Sequence, residues 1–206
     1  MIIKNLFRIL KSYKFTIITI IIFEIIYILR GYKGNKISSV GNANMADNIP
    51  CPYYFLYKIK KKIKNHKFYR FIDLGCGSGR VIDFFNNNYP KKKYVGVEYG
   101  LKEFEYSKSI FKRKKNIKIL NNNFTQIKYN KMKIDCFFLN NPFVNDKKFV
   151  KFFNMLINNN NFNKKKIFIF VNFKKKTISN LQKIKIIDNY QITNIKGFSI
   201  CLLNSK

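Results

Sequence analysis

Phe71-Ile-Asp-Leu-Gly-Cys-Gly-Ser-Gly-Arg-Val-Ile82 is the most informative stretch of the chain, and the rest is read outward from it. Tyr69 to Leu74 is an apolar run of strand character, and Arg80 to Asn88 has the composition of a helix. Between them, glycines at 75, 77 and 79 let the backbone turn sharply from strand to helix and approach a ligand closely, because no Cβ intervenes. A ligand of such a bend sits at the carboxyl end of the strand.

The spacing separates this loop from a dinucleotide fingerprint. In G-x-G-x-x-G the third glycine follows the second after three residues. Here it follows after two, position 80 is Arg, and Asp73 lies two residues ahead of the first glycine. The next apolar run, Lys93-Tyr-Val-Gly-Val-Glu98, ends in a carboxylate 25 positions beyond Asp73. An acid near that distance is where a ribose diol is held in such folds, since a carboxylate accepts from two hydroxyls at once.

Beyond these two strands, apolar runs at Ile117 to Leu120, Ile134 to Leu139 and Lys166 to Val171 alternate with helical stretches at Lys102 to Lys114 and Lys148 to Asn158. A final pair of strands is expected near Tyr190 to Thr193 and Phe198 to Leu203. Strand alternating with helix predicts an α/β fold with a mostly parallel sheet covered by helices. The tracts Asn158 to Asn161 and Lys174 to Lys176 fall where loops are expected.

Composition narrows the function classes. The formal net charge is +31, yet only Arg8, Arg30, Arg70, Arg80 and Arg113 are arginines. Phosphate recognition favours the arginine fork, so the lysine excess reads chiefly as solvated surface. Cys51, Cys76, Cys136 and Cys201 show no C-x-x-C spacing, so neither a disulfide framework nor a metal site is expected. His66, the sole histidine, precedes the first strand and is a poor candidate for a general base.

The N-terminal region reads differently. Phe15 to Leu29 is apolar apart from Glu24 and follows a stretch carrying Lys4, Arg8, Lys11 and Lys14. A membrane-anchoring helix is the favoured reading, although the run is short for a span of about 20 residues and carries a carboxyl at its middle. A helix packed on the domain and a signal peptide are the alternatives. The expected plan is a hydrophobic helix within residues 1–30, a linker over 31–48, and a catalytic domain over 49–206 that opens with a helix from Phe55 to Lys64.

Over roughly residues 50 to 206 the chain resembles the class I S-adenosylmethionine (SAM)-dependent methyltransferases. The likeness is to small bacterial members with a DxGCGxGR loop, here Asp73 to Arg80, preceded by Pro52-Tyr53-Tyr54 and followed by an Asn-Pro-Phe strand end. A weaker likeness is to membrane-anchored protein-lysine methyltransferases. The resemblance implies a Rossmann-like, seven-stranded sheet with an antiparallel last strand, SAM as cofactor, and no metal. It implies a cofactor site of Asp73, Gly75, Cys76, Gly77, Gly79 and Glu98, with Asn123 where relatives carry an Asp for the adenine amino group.

Amino methyltransferases often carry Asp/Asn-Pro-Pro-aromatic at the fourth strand end. Asn140-Asn141-Pro142-Phe143 is similar, with either Asn140 or Asn141 leading. The implied catalytic residues are therefore Asn140, Asn141, Pro142 and Phe143, and the implied acceptor is a protein amine in preference to nucleic acid. Membrane contact is expected through residues 15–29, with the catalytic domain in the cytoplasm. Competing readings are a non-catalytic SAM-fold scaffold and an RNA methyltransferase using the basic surface.

Overall fold

Runs of Phe, Ile, Val and Leu form the strands, and their side chains alternate between two buried layers. The computed structural model describes residues 15–34 and 50–203, apart from 142, 144, 160, 161, 163, 164, 182 and 193–196. Most of the expected linker, and Pro142, lie outside the described residues. The described elements are α1 (Phe15–Leu29), α2 (Tyr53–Ile63), β1 (Arg70–Leu74), α3 (Arg80–Asn88), β2 (Lys93–Glu98), α4 (Leu101–Ile110) and β3 (Ile117–Asn121). They continue with β4 (Cys136–Asn140), α5 (Asp146–Asn159), β5 (Ile167–Val171), α6 (Lys175–Ser179), β6 (Ile184–Gln191) and β7 (Gly197–Leu203).

The strands make one seven-stranded sheet of order β3-β2-β1-β4-β5-β7-β6. β1 to β5 pair in parallel, and β7 runs antiparallel to both β5 and β6. Because successive strand residues face opposite sides, Phe71, Phe138 and Ile169 join one core while Ile72, Phe137 and Phe168 join the other. The first core holds Phe55, Leu56 and Ile59 of α2 with Phe84 and Phe85 of α3; the second holds Phe149, Phe153 and Leu156 of α5. Helices on both faces explain why the central strands β4 and β5 are apolar almost throughout and not alternating. At the opposite end of the sheet from the glycine loop, Asp135 accepts the N–H groups of Tyr69 and Arg70 at 3.0 Å each, locking the starts of β1 and β4 together.

Two elements differ from the sequence expectation. β6 is longer than the Tyr190 to Thr193 run, spanning Ile184–Gln191 with a register irregularity between Ile186 and Asp188. It is an edge strand of half-buried residues, so its alternation is blurred. The short helix α6 grows from the lysine tract expected as loop, because Thr177 and Ile178 are buried beneath it.

α1 packs on the domain. Phe23 meets Tyr54 edge-on at 5.3 Å between ring centroids, and Tyr27 stacks on Tyr53 at 4.8 Å. Glu24 accepts the Tyr53 N–H at 2.8 Å and the Arg80 guanidinium at 2.8 Å. Tyr53 opens α2 after Pro52, which offers no side-chain cap, so Glu24 caps α2 from another element. α1 ends in a Schellman turn: Gly31 lies at φ 73°, its N–H donates to Ile28, and Tyr32 N–H donates to Tyr27.

The packing bears on the expected membrane-anchoring helix. Among the described residues no helix is long and apolar enough to cross a membrane. The carboxyl that would be costly in lipid has its partners in the protein instead.

Candidate active site

The glycine loop leaves β1 at Leu74 and is hung on the end of β2. The N–H groups of Gly75 and Cys76 both donate to the Val97 carbonyl, at 2.9 and 3.0 Å. Gly75, Gly77 and Gly79 have φ of 80°, 51° and 88°. At Gly79 a Cβ would also stand 2.6 Å from the Phe111 ring, so both backbone and packing require glycine there. Gly96, inside β2, has a different purpose: a Cβ would lie 2.7 Å from the Cys76 sulfur and 2.7 Å from Ile82 Cδ1. Its lack of a side chain lets loop and helix settle onto the sheet, and no sequence signal singled it out.

Two carboxylates face this bend. β1 and β2 pair with Asp73 opposite Gly96, which puts Glu98 level with Gly75. Glu98 Oε2 accepts from Gly77 N–H at 2.8 Å, and Oε1 accepts from Gly100 N–H at 2.8 Å. Each oxygen keeps lone-pair capacity for a further donor. Burial raises the pKa of Glu98, with the Gly100 and Gly77 amides opposing it. Asp73 is 1% exposed and its Oδ2 is buried without a hydrogen-bond partner. Burial first, and then the charge of Glu98, push its pKa well above the usual carboxylate range. Burial also raises the Cys76 thiol, making it a packing residue and not a nucleophile.

Asn123 is used locally. Its Oδ1 accepts from both the N–H and the hydroxyl of Thr125, at 3.0 and 2.8 Å, capping the turn Phe124–Gln126. Both lone pairs of that oxygen are engaged, so binding an adenine amino group there requires the cap to open. Asn121 is the residue that braces the site from β3. Its amide donates to the carbonyls of Glu98 and Tyr99, at 3.0 and 3.1 Å.

On the other side of β1, β4 pairs with Leu139 opposite Leu74, so Asn140 and Gly75 are the next residues of neighbouring strands. Asn140 Oδ1 accepts from the Asn172 amide at 2.8 Å. Asn172 follows β5 at φ 59°, and its own Oδ1 is buried without a partner. Asn141 is also left-handed, at φ 35°. Phe143 packs on Phe124, Phe149 and Phe152 with ring centroids 5.3 to 5.5 Å apart. Asn141, Phe143, Asp146, Asn172 and Phe173 line a cavity of about 610 Å³. Asn172 was missed in the sequence; the parallel between Asn-Pro-Phe after β4 and Asn-Phe after β5 is the signal that could have found it.

The N-terminal segment buttresses the exit of the loop. Ser78 Oγ donates to the Gly34 carbonyl at 2.6 Å, and the Lys33 N–H donates to Asp83 at 2.6 Å. Gly34 lies so close that a Cβ would be 2.3 Å from Arg80 N. The Arg80 guanidinium lies 4.6 Å from the Tyr53 ring centroid and donates to the Cys51 carbonyl at 3.3 Å.

A parallel sheet with an antiparallel seventh strand, a glycine bend after β1 and a carboxylate after β2 together define a class I SAM-dependent methyltransferase. The chain belongs to the family described as methyltransferase domain, whose model matches residues 65–195. No curated protein matches the sequence. Among solved structures it is similar to the human methyltransferase 10 domain containing protein, at 13% identity and a TM-score of 0.57, covering 87% of this chain and 93% of that one. A SAM-dependent methyltransferase from Clostridium acetobutylicum ATCC 824 is similar at 13% identity and a TM-score of 0.57, covering 74% and 91%. Another, from Aquifex aeolicus, aligns at 11% identity and a TM-score of 0.56, covering 72% and 89%. At these identities the likeness is one of fold.

The enzyme's cofactor is SAM, and the residues present fit it. A cationic amino-acid nucleoside calls for negative charge, acceptors for vicinal hydroxyls, and a surface free of side chains. The unpartnered Asp73 oxygen, the spare lone pairs of Glu98 and the glycine bend supply these in a chain with 41 basic and only ten acidic residues.

Proposed function

We propose that this methyltransferase acts on an amine nitrogen of a protein side chain, held by Asn140, Asn141, Pro142 and Phe143. The observation that carries the reading is the cavity lined by Asn141 and Phe143 beside the Asn140–Asn172 pair, one strand away from the glycine loop. SAM supplies, when bound, a methyl carbon activated by its sulfonium, so the protein's task is alignment. Amide oxygens at the end of β4 accept the N–H hydrogens of the acceptor and aim its lone pair. The Phe143 ring, fixed by three phenylalanines, gives the acceptor an apolar wall. Glu98 and Asp73 hold the cofactor side.

The same reading treats residues 1–30 as a membrane-associated segment, 31–48 as its connection, and 49–206 as a catalytic domain on the cytoplasmic side. The net charge of +31 favours an RNA acceptor as the second reading. Transfer of labelled methyl from SAM to host protein, RNA and lipid fractions separates them. Label in protein that disappears with Asn140→Ala, while calorimetric SAM affinity persists, is the expected result. Label confined to RNA would overturn the protein acceptor.

A further inference from the structure

We infer that the outer face of α1 lies flat in the surface of an anionic membrane, holding the active-site edge of the enzyme beside the bilayer. The inner face, Phe23, Glu24 and Tyr27, is spent on the domain. The outer face carries Ile18, Ile21, Ile22, Ile25, Ile28 and Leu29, between 48% and 81% exposed. Their spacing of three and four residues makes one continuous apolar stripe. Soluble monomers rarely expose such a stripe without a partner for it.

Charge identifies the partner. Arg30 is exposed at the end of α1 and leans on the Tyr27 ring, 5.7 Å from its centroid. Lys58 and Lys61 of α2 stand over Tyr54 and Tyr57, at 5.1 and 4.7 Å, and those two rings pack on Phe23. A stripe of isoleucines beside lysine, arginine and tyrosine is the composition of an interfacial helix. Face-to-face pairing of two copies would bring like charge against like in a chain of net charge +31, whereas an anionic lipid surface gains from every one of those cations. Spanning would require tearing Glu24 from Tyr53 and Arg80.

The docking also places the chemistry. Arg80, the partner of Glu24, is the first residue of α3 after the glycine loop. The stripe is thus about one helix diameter, roughly 10 Å, from the cofactor loop. The inference rests on the methyltransferase reading only for its consequence, that acceptors are met at the membrane surface.

Flotation of the full-length chain with phosphatidylcholine vesicles, with and without phosphatidylglycerol, tests it. The expected result is binding at least about tenfold tighter to the anionic vesicles, with that preference lost near 1 M salt, where the screening length is about 3 Å. Ile21→Lys with Ile25→Lys should abolish flotation while leaving the melting temperature and calorimetric SAM affinity as in the parent. Three results would overturn it: no flotation, equal binding to neutral vesicles at low salt, or a double variant that floats normally. A dimer in gel filtration that the double variant splits, without vesicle binding, would assign the face to a second copy and also overturn it. SAM affinity read on the same samples keeps failure of the membrane face distinct from failure of the enzymatic reading.

Discussion

Glu98 Oε2 accepts the backbone N–H of Gly77 at 2.8 Å, so the carboxylate closing β2 grips the middle of the loop that follows β1. Two strands' ends are thereby fastened through one side chain. If Glu98 also holds the ribose of SAM, as proposed, loop shape and sugar recognition change together.

Glu98→Gln should weaken SAM binding by about tenfold to a hundredfold, since a charge-assisted hydrogen bond is lost and one amide N–H meets another donor. Calorimetric titration with SAM and S-adenosylhomocysteine measures it. An unchanged dissociation constant would remove Glu98 from the site.

Asp73 gives a pH signature. Its folded-state pKa is raised, chiefly by burial. Below the unfolded carboxylate range, near about pH 4, it is protonated in both states and costs nothing; as pH rises the unfolded chain ionises while the folded one resists, so stability falls. In the ligand-free protein Asp73→Asn should raise the melting temperature at pH 8 by about 2–6 °C, with the gain vanishing near pH 4. The same variant should bind SAM less tightly. Thermal melts across pH check the sign, and a variant less stable than the parent at pH 8 would contradict it.

Gly96 touches no cofactor on this reading yet should matter to binding. In Gly96→Ala the new methyl meets Cys76, Ile82 and Ile119 within 2.8 Å. Overpacking of this kind costs about 1–3 kcal/mol. A lower melting temperature together with reduced SAM affinity is expected, because the strain is relieved through the loop. Loss of stability with full affinity would show that the loop does not take up the strain.

Asn172 should act through Asn140. Asn172→Gly keeps the left-handed backbone while deleting the amide that donates to Asn140. Methyl transfer is expected to slow by about tenfold, in line with loss of one positioning contact. SAM affinity should be unchanged. A fall in affinity with an unaltered rate of transfer would place Asn172 on the cofactor side.

Glu24 and Arg80 form a pair with 26% and 9% side-chain exposure. Glu24→Gln leaves the guanidinium poorly compensated and weakens the cap on α2, for about 2–4 kcal/mol and a melting temperature lower by about 5–10 °C. Arg80→Met in the Glu24→Gln background should cost less than the sum of the single changes. Additive losses in chemical denaturation would mean that the pair contributes nothing as a pair.

Most of the sheet could be read along the chain because its information is local. Glycines two apart after an apolar run, or an acid closing the next run, need only neighbouring residues to be recognised. β6 and α6 were harder: an edge strand is half-wet and loses its alternation, and a lysine-rich helix is held by only two buried side chains.

The residues alone determined a strand, glycine bend and helix with Glu98 downstream, since the backbone freedom of glycine and the periodicity of burial act within a few positions. Only the folded chain decided that Glu24 is neutralised by Arg80, 56 positions away, and that Asn172 meets Asn140 across 32. That Asn123 caps its own turn was decided there too. Such pairings arise when distant segments are desolvated together, and what a buried polar group must then find is set by packing and not by spacing.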